Sequence, residues 1–251
     1  MRMLILIGMM ALGTIIPATW FLMPSNDLNL IDASRTGDIN RVRYLLDHGI
    51  DVNQRGRNGG TPLFYAVGND HVDVAAILIS SGASLEAVDE RGVTALFANL
   101  QNEQESLEML KFLVSKGANV NHRDRNGMTP LFASVDIGGS LRKTRYLLET
   151  GADPNQQSEI DGDFPLRIAV SWQNLELVAV LLDYGANPNM QRRDGDTALM
   201  EACRQDNIEV VKVLLGNGAD TSLKNRNGLS ALAFANKDST ELRTLLENNN
   251  K

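Results

Sequence analysis

The strongest constraint on how this 251-residue chain can fold is a period. Gly49 is followed by Ile50, and Gly82, Gly117, Gly151, Gly185 and Gly218 are each followed by Ala. These six glycines stand 33, 35, 34, 34 and 33 residues apart. A second marker keeps step with them: Thr61-Pro62-Leu63-Phe64, Thr94-Ala95-Leu96-Phe97, Thr129-Pro130-Leu131-Phe132, Phe164-Pro165-Leu166-Arg167, Thr197-Ala198-Leu199-Met200 and Ser230-Ala231-Leu232-Ala233. An apolar run such as Val178–Leu182 or Val210–Leu215 precedes the glycine. Spaced polar residues such as Asp51–Asn53, Asn119–Asn121 and Asn187–Asn189 follow it. A unit of this size cannot bury its own apolar face, so copies must stack and bury it on one another.

Each marker has a local physical role. Thr-Pro opens a first helix, because Thr caps the free N–H groups and Pro occupies a first turn where its missing N–H is not needed. The second helix carries an apolar stripe, for which Leu175, Val178, Leu181 and Leu182 lie on one predicted face. The glycine after it supplies a left-handed helix end. Residues 28–48 keep the helix pair but lack Thr-Pro-Leu, and Arg35, Asp38, Asn40, Arg41 and Arg43 give them a wet outer side. Glu241, Arg243 and Glu247 do the same at the far end.

The pattern resembles the ankyrin repeat, written G-x-T-P-L-H-x-A, and it covers nearly all of residues 28–247. The chain departs from that pattern where Phe, Arg, Met or Ala replaces the His after Leu. It also has two extra residues around Asn99–Leu107, one more in the helices of the fourth unit, and another in the loop Gln156–Asp163. The resemblance implies an all-α solenoid of about seven helix-turn-helix units with short β-hairpin or loop tips. Its expected parts are an N-capping unit at 27–59, central units at 60–226, and a C-capping unit and tail at 227–251. It also implies a concave face, made of first helices and tips, that binds a protein.

Residues 1–26 are different material. Arg2 is the only charge before Met23, and the uncharged run Met3–Met23 has 21 residues. As a helix that run is about 31 Å long, enough to cross a hydrocarbon core of about 30 Å. The segment is expected to be a hydrophobic helix that serves as a signal peptide or a transmembrane anchor. Pro17-Ala18 supplies a tolerable cleavage site, and Trp20 and Phe21 suit the headgroup region. No cysteine follows the run, which argues against a lipoprotein. The positive charge precedes the run, so the rest of the chain is expected in the periplasm or on the periplasmic face of an inner membrane, attached through residues 3–23 if they are uncleaved.

Composition removes several function classes. Lys+Arg is 24 and Asp+Glu is 31, a net charge of −7, so a nucleic-acid partner is not expected. Cys203 is the single cysteine, and it stands where the repeat carries a buried Ala. The three histidines are His48, His71 and His122. His71 sits at the repeat's structural turn, and the other two lie too far apart in sequence to share a metal. No phosphate loop, H-E-x-x-H or G-x-S-x-G occurs. The expectation is a chain with no catalytic residues, no cofactor, no metal and no small-molecule substrate.

A surface remains. The tips carry Arg55, Arg57, Arg123, Arg125, Arg192, Arg193 and Arg226, cationic in an acidic chain and suited to bidentate contact with carboxylates, although solvated tips are also usual in such repeats. An apolar candidate comprises Tyr65, Ile168 and Trp172 at first-helix positions that the repeat leaves exposed, with Glu201 and Gln205 as a polar rim. The expected function is to grip a partner protein in the envelope, as an inhibitor or immunity protein of a secreted enzyme or toxin. A structural or stress-protective envelope scaffold and, more weakly, an effector exported to a host are the alternatives.

Overall fold

The computed structural model describes residues 29–101, 107–136 and 139–249. The apolar segment 1–26, and most of the insertion around Asn99–Leu107, lie outside the described residues.

Among the described residues fourteen helices form seven antiparallel pairs: α1 (Leu30–Thr36) with α2 (Ile39–Asp47), α3 (Pro62–Gly68) with α4 (Val72–Ser80), α5 (Ala95–Leu100) with α6 (Glu108–Ser115), α7 (Pro130–Asp136) with α8 (Leu141–Glu149), α9 (Pro165–Ser171) with α10 (Leu175–Asp183), α11 (Ala198–Arg204) with α12 (Ile208–Gly216), and α13 (Ala231–Phe234) with α14 (Thr240–Asn248). Thr61, Thr94, Thr129 and Thr197 cap their helices through Oγ1, which accepts from the N–H three residues on at 3.2–3.4 Å. The glycines after the second helices have φ between +77° and +92°, the left-handed ending the sequence demands.

First helices stack on first helices and second on second, around one continuous core that runs from Leu30 to Leu246. The first helices approach one another more closely than the second helices do, so the array bends toward the first-helix layer and that layer is the inner one. The stripe expected on α10 is broader than the sequence suggested. Leu177, Val178, Val180, Leu181 and Leu182 are all buried because α10 packs against α8, α9 and α12, whereas Leu175, at its exposed first turn, is 39% exposed.

Side-chain amides lock each unit to the next. Asn53 Nδ2 donates to Gly82 O (3.1 Å) while its Oδ1 accepts from Ser84 N–H (2.8 Å). Asn121 does the same with Gly151 and Asp153, Asn155 with Gly185 and Asn187, and Asn189 with Gly218 and Asp220. The third unit has Glu86 instead, whose side chain accepts from Asn119 N–H at 2.9 Å and carries no amide N–H to donate in return. Replacing Asn155 by Ala removes both bonds and is expected to lower stability by about 1–2 kcal/mol in chemical denaturation. Asn155→Asp, which keeps only the acceptor, should fall between Ala and wild type.

The tips are turns, and no strand occurs among the described residues, so the expected β-hairpins are not formed. Each tip is closed by a backbone bond across five residues, Gly56 N to Gly60 O, Asp89 N to Val93 O, Asp124 N to Met128 O, Arg192 N to Asp196 O and Asn225 N to Leu229 O, with a second bond inside it from the tip glycine N–H, so the turn leaves no room for a ladder. The fourth loop closes from Ser158 N to Asp163 O, one residue longer, as its sequence required. Successive tips are tied by single backbone bonds instead: Glu90 N to Asn58 O, Arg125 N to Arg91 O, Glu159 N to Asn126 O, Arg193 N to Asp161 O and Arg226 N to Asp194 O.

Candidate partner-binding surface

The inner layer of the fifth to seventh units carries the most developed surface. Trp172 caps the C-terminus of α9 and is 62% exposed, one of the two most exposed large apolar side chains among the described residues. Ile168 lies one turn before it and is half-buried against the core. Gln205 reaches back across the unit boundary, its Nε2 donating to Ser171 O (3.2 Å) and to Glu201 Oε1 (3.0 Å). The expected apolar centre and polar rim are therefore adjacent. Tyr65 belongs to a separate locus near the N-terminal end, half-buried with its ring edge-on to Phe64, and shares nothing with Trp172.

Beneath the rim runs an ion network. Arg167 Nε donates to Asp163 Oδ1 at 2.6 Å, its Nη2 donates to Asp163 Oδ2, and its Nη1 lies 3.4 Å from Glu201 Oε2. Arg204 continues the chain by contacting Glu201 and Asp196 (2.7 Å to the latter) and by covering the Phe234 ring at 4.6 Å from its centroid. Asn225 Nδ2 closes the far end on Asp196 Oδ1 at 2.7 Å. The side chains of Arg167, Asp163 and Glu201 are only 11%, 6% and 15% exposed. Burial works against the Arg167 charge, yet its bonds to Asp163 and the fields of Asp163, Glu201 and Asp161 outweigh it and hold the guanidinium above its ordinary value. Asp161 is held below the usual carboxylate range. Desolvation opposes its charge, but the Asp163 N–H, the Ser158 hydroxyl, Arg192 and Arg167 prevail.

Most tip arginines turn out to be internal staples. Arg55 donates to Gly59 O and to Val88 O of the next unit (2.8 and 2.5 Å). Arg123 bonds Gln156, the Gln157 carbonyl and Glu159. Arg192 pairs with Asp161 at 3.2 Å, and Arg193 donates to the Ile160 and Glu159 carbonyls. The outermost tip residues run Arg57, Glu90, Arg125, Glu159, Arg193 and Arg226, so the first five alternate in sign and only the last two neighbours are both cationic. The tip arginines therefore do not form one continuous basic ridge. Arg57, Arg125 and Arg226 remain exposed, and their guanidinium groups make no hydrogen bond or ion pair among the described residues.

A family model described as ankyrin repeats in three copies matches residues 18–89, 82–158, 138–225 and 166–251. The chain belongs to the ankyrin-repeat family. Among solved structures it is similar to the ankyrin repeat domain of Bcl-3, a member of the IkappaB protein family, with TM-score 0.77 and 29% identity over 87% of this chain and 97% of that one. It is also similar to a putative ankyrin repeat-containing protein of Treponema pallidum (strain Nichols), 30% identical over 67% of this chain and 44% of the relative. Protein phosphatase 1 regulatory subunit 27 of Mus musculus is 36% identical over 28% of this chain and 45% of its own length. The chain spans less than half the length of these curated relatives. As an ankyrin array it is a protein–protein interaction module.

Of the three histidines, His71 and His122 hold ankyrin units together, and His48 bonds within its own unit. His71 Nε2 lies 3.1 Å from Arg35 O and His122 Nε2 lies 2.8 Å from Gly92 O, each on the preceding unit, and His48 Nδ1 lies 2.7 Å from Tyr44 O. A carbonyl only accepts, so in each ring the facing nitrogen carries the proton. Among the described residues no group of three or more His, Cys, Asp or Glu is placed to hold a metal, and no helix is long and apolar enough to cross a membrane. Cys203 is buried, and that burial, with Asp206 nearby and only Arg204 opposing, pushes its thiol up to about 12. It is expected to ignore a disulfide reagent near pH 8 in the native chain and to react stoichiometrically in denaturant. The raised value means that its contribution to stability is complete below the ordinary thiol value of 9.0 and declines as pH rises from there toward 12.

Sequence reasoning missed Asp163, Arg167, Asp196 and Arg204. The signal was present: Arg167 stands where three other units have Phe, with an acid four residues before it and Glu201 thirty-four residues after it.

Proposed function

We propose that the chain is a non-catalytic binding module of the bacterial cell envelope that grips one partner protein on its inner layer and acts sterically, covering or positioning the partner's working surface. Trp172 carries this reading. A large aromatic ring held open on a stack of helices, with the polar side chains of Gln205 and Glu201 beside it, has the anatomy of an interface anchor. The apolar run 3–23 supports the envelope address. The regulatory-subunit name of one relative supports control of a partner without chemistry of its own. The specific form we favour is an inhibitor or immunity protein of a secreted enzyme or toxin.

The test starts with the partner recovered from envelope extracts on the full chain. Trp172→Ala is expected to weaken that complex by at least about 2 kcal/mol, roughly thirtyfold, with the fold unchanged by circular dichroism. Unaltered affinity removes Trp172 from the interface. A reporter fused after Lys251 that is active only in the cytosol removes the envelope address. Deletion of the gene separates the two roles: an immunity protein is needed only while its toxin gene is intact, whereas a scaffold is needed regardless.

A further inference from the structure

We infer that a second binding locus lies at the N-terminal end of the array, where an acidic, extended segment of a partner protein docks along the first tip. The inference rests on reading the chain as a protein-binding module, and it concerns a site well separated from Trp172. A groove of about 730 Å³ opens between α1 and the tip that follows it, lined by Arg35, Arg55, Arg57, Gln54, Tyr65 and Asp32, among others. Three of these are cations. The one carboxylate, Asp32, is already taken by Arg35 at 3.2 Å and by Asn29 Nδ2 at 3.0 Å. In a chain of net charge −7 this is a local excess of positive charge.

The hydrogen-bonding groups there ask for acceptors. In every later tip the N–H equivalent to that of Arg57 donates to the tip before it: Glu90 to Asn58, Arg125 to Arg91, Glu159 to Asn126, Arg193 to Asp161 and Arg226 to Asp194. Among the described residues Arg57 N–H has no such acceptor, and the Arg57 guanidinium has no partner. Gln54 Nε2 is buried without an acceptor. A chain laid in the groove in extended form offers a carbonyl to Arg57 N–H, repeating the bond that joins the other tips. Its carboxylates then meet Arg57, Arg55 and Arg35. A second copy stacked head to tail fits less well, because its last tip would bring Lys224 and Arg226 against Arg55 and Arg57.

The probe is a labelled peptide of alternating glutamate and valine, titrated into the full chain with amide spectra recorded by nuclear magnetic resonance; its glutamine–valine counterpart is the control. The expected result is saturable shifts of the Arg57 backbone amide and the Gln54 side-chain amide. Arg57→Glu and the glutamine peptide should each weaken binding by about tenfold or more. No shift at millimolar peptide, or equal binding of the glutamine peptide, overturns the proposal. So does an Arg57 amide that, in the free chain, exchanges with solvent as slowly as that of Arg125, since residues 24–28 of the chain itself then already fill the position. Trp172→Ala should leave the titration unchanged, so a failure here and a failure of the Trp172 interface are told apart.

Discussion

Arg167→Ala is expected to destabilise the last three units by about 3–5 kcal/mol, the cost of leaving the buried Asp163 carboxylate without its counter-charge. Among the described residues Arg167 is the one cation that touches both Asp163 and Glu201, and both acids are largely shielded from water. Truncation leaves Asp163 with only the Phe164 N–H at 3.0 Å, and it leaves Glu201 to Arg204 and Gln205. Denaturant titration followed by Trp172 fluorescence reads the effect where it falls. Because a repeat array unfolds in blocks, units five to seven should lose structure first. The double replacement Asp163→Leu with Arg167→Met removes both charges and should recover most of the loss. A deficit under about 1 kcal/mol for Arg167→Ala would mean that the pair behaves like an exposed one.

Gly195→Ala is the second large effect, and Gly228→Ala is its internal control. Both glycines have positive φ, +86° and +74°, so Ala pays a backbone cost of about 1–2 kcal/mol at either. At Gly195 the added Cβ would also stand 2.8 Å from Asn225 Cα and 2.9 Å from Arg226 N, backbone that cannot swing aside. At Gly228, the equivalent position of the last tip, nothing lies within 4 Å. The difference between the two variants isolates contact between tips, expected at about 1–3 kcal/mol by thermal melting, in the range of other overpacked sites. Equal melting points would mean that the tips do not touch in solution.

The fold was legible where one residue type has one physical use. Thr61, Thr94, Thr129 and Thr197 announce helix starts, and the six spaced glycines announce helix ends, because capping and positive φ are local demands. The candidate site was legible only in part. Trp172 with Gln205 could be paired by counting one repeat forward. The tip arginines could not be sorted into staples and free cations, because Arg123 and Arg125 look alike in sequence, and only the position of the next loop decides that one bonds Glu159 while the other stays in water. Arg167 was passed over because it occupies a position the repeat usually reserves for a core or loop residue. Its burial follows from the longer fourth loop, which brings Asp163 onto it.

The single Glu among the locking amides has a mechanical consequence. Asn53, Asn121, Asn155 and Asn189 each join two units by a donor and an acceptor, whereas Glu86 supplies only an acceptor and the His122 ring, donating to Gly92 O, completes the joint. Where the other joints lean on an amide, this one leans on a ring, so His122→Ala should loosen it more than loss of any one locking Asn loosens its own joint. The distance between the Arg57 end and the Trp172 end would then become the adjustable dimension, as in a pair of calipers with one rivet drawn.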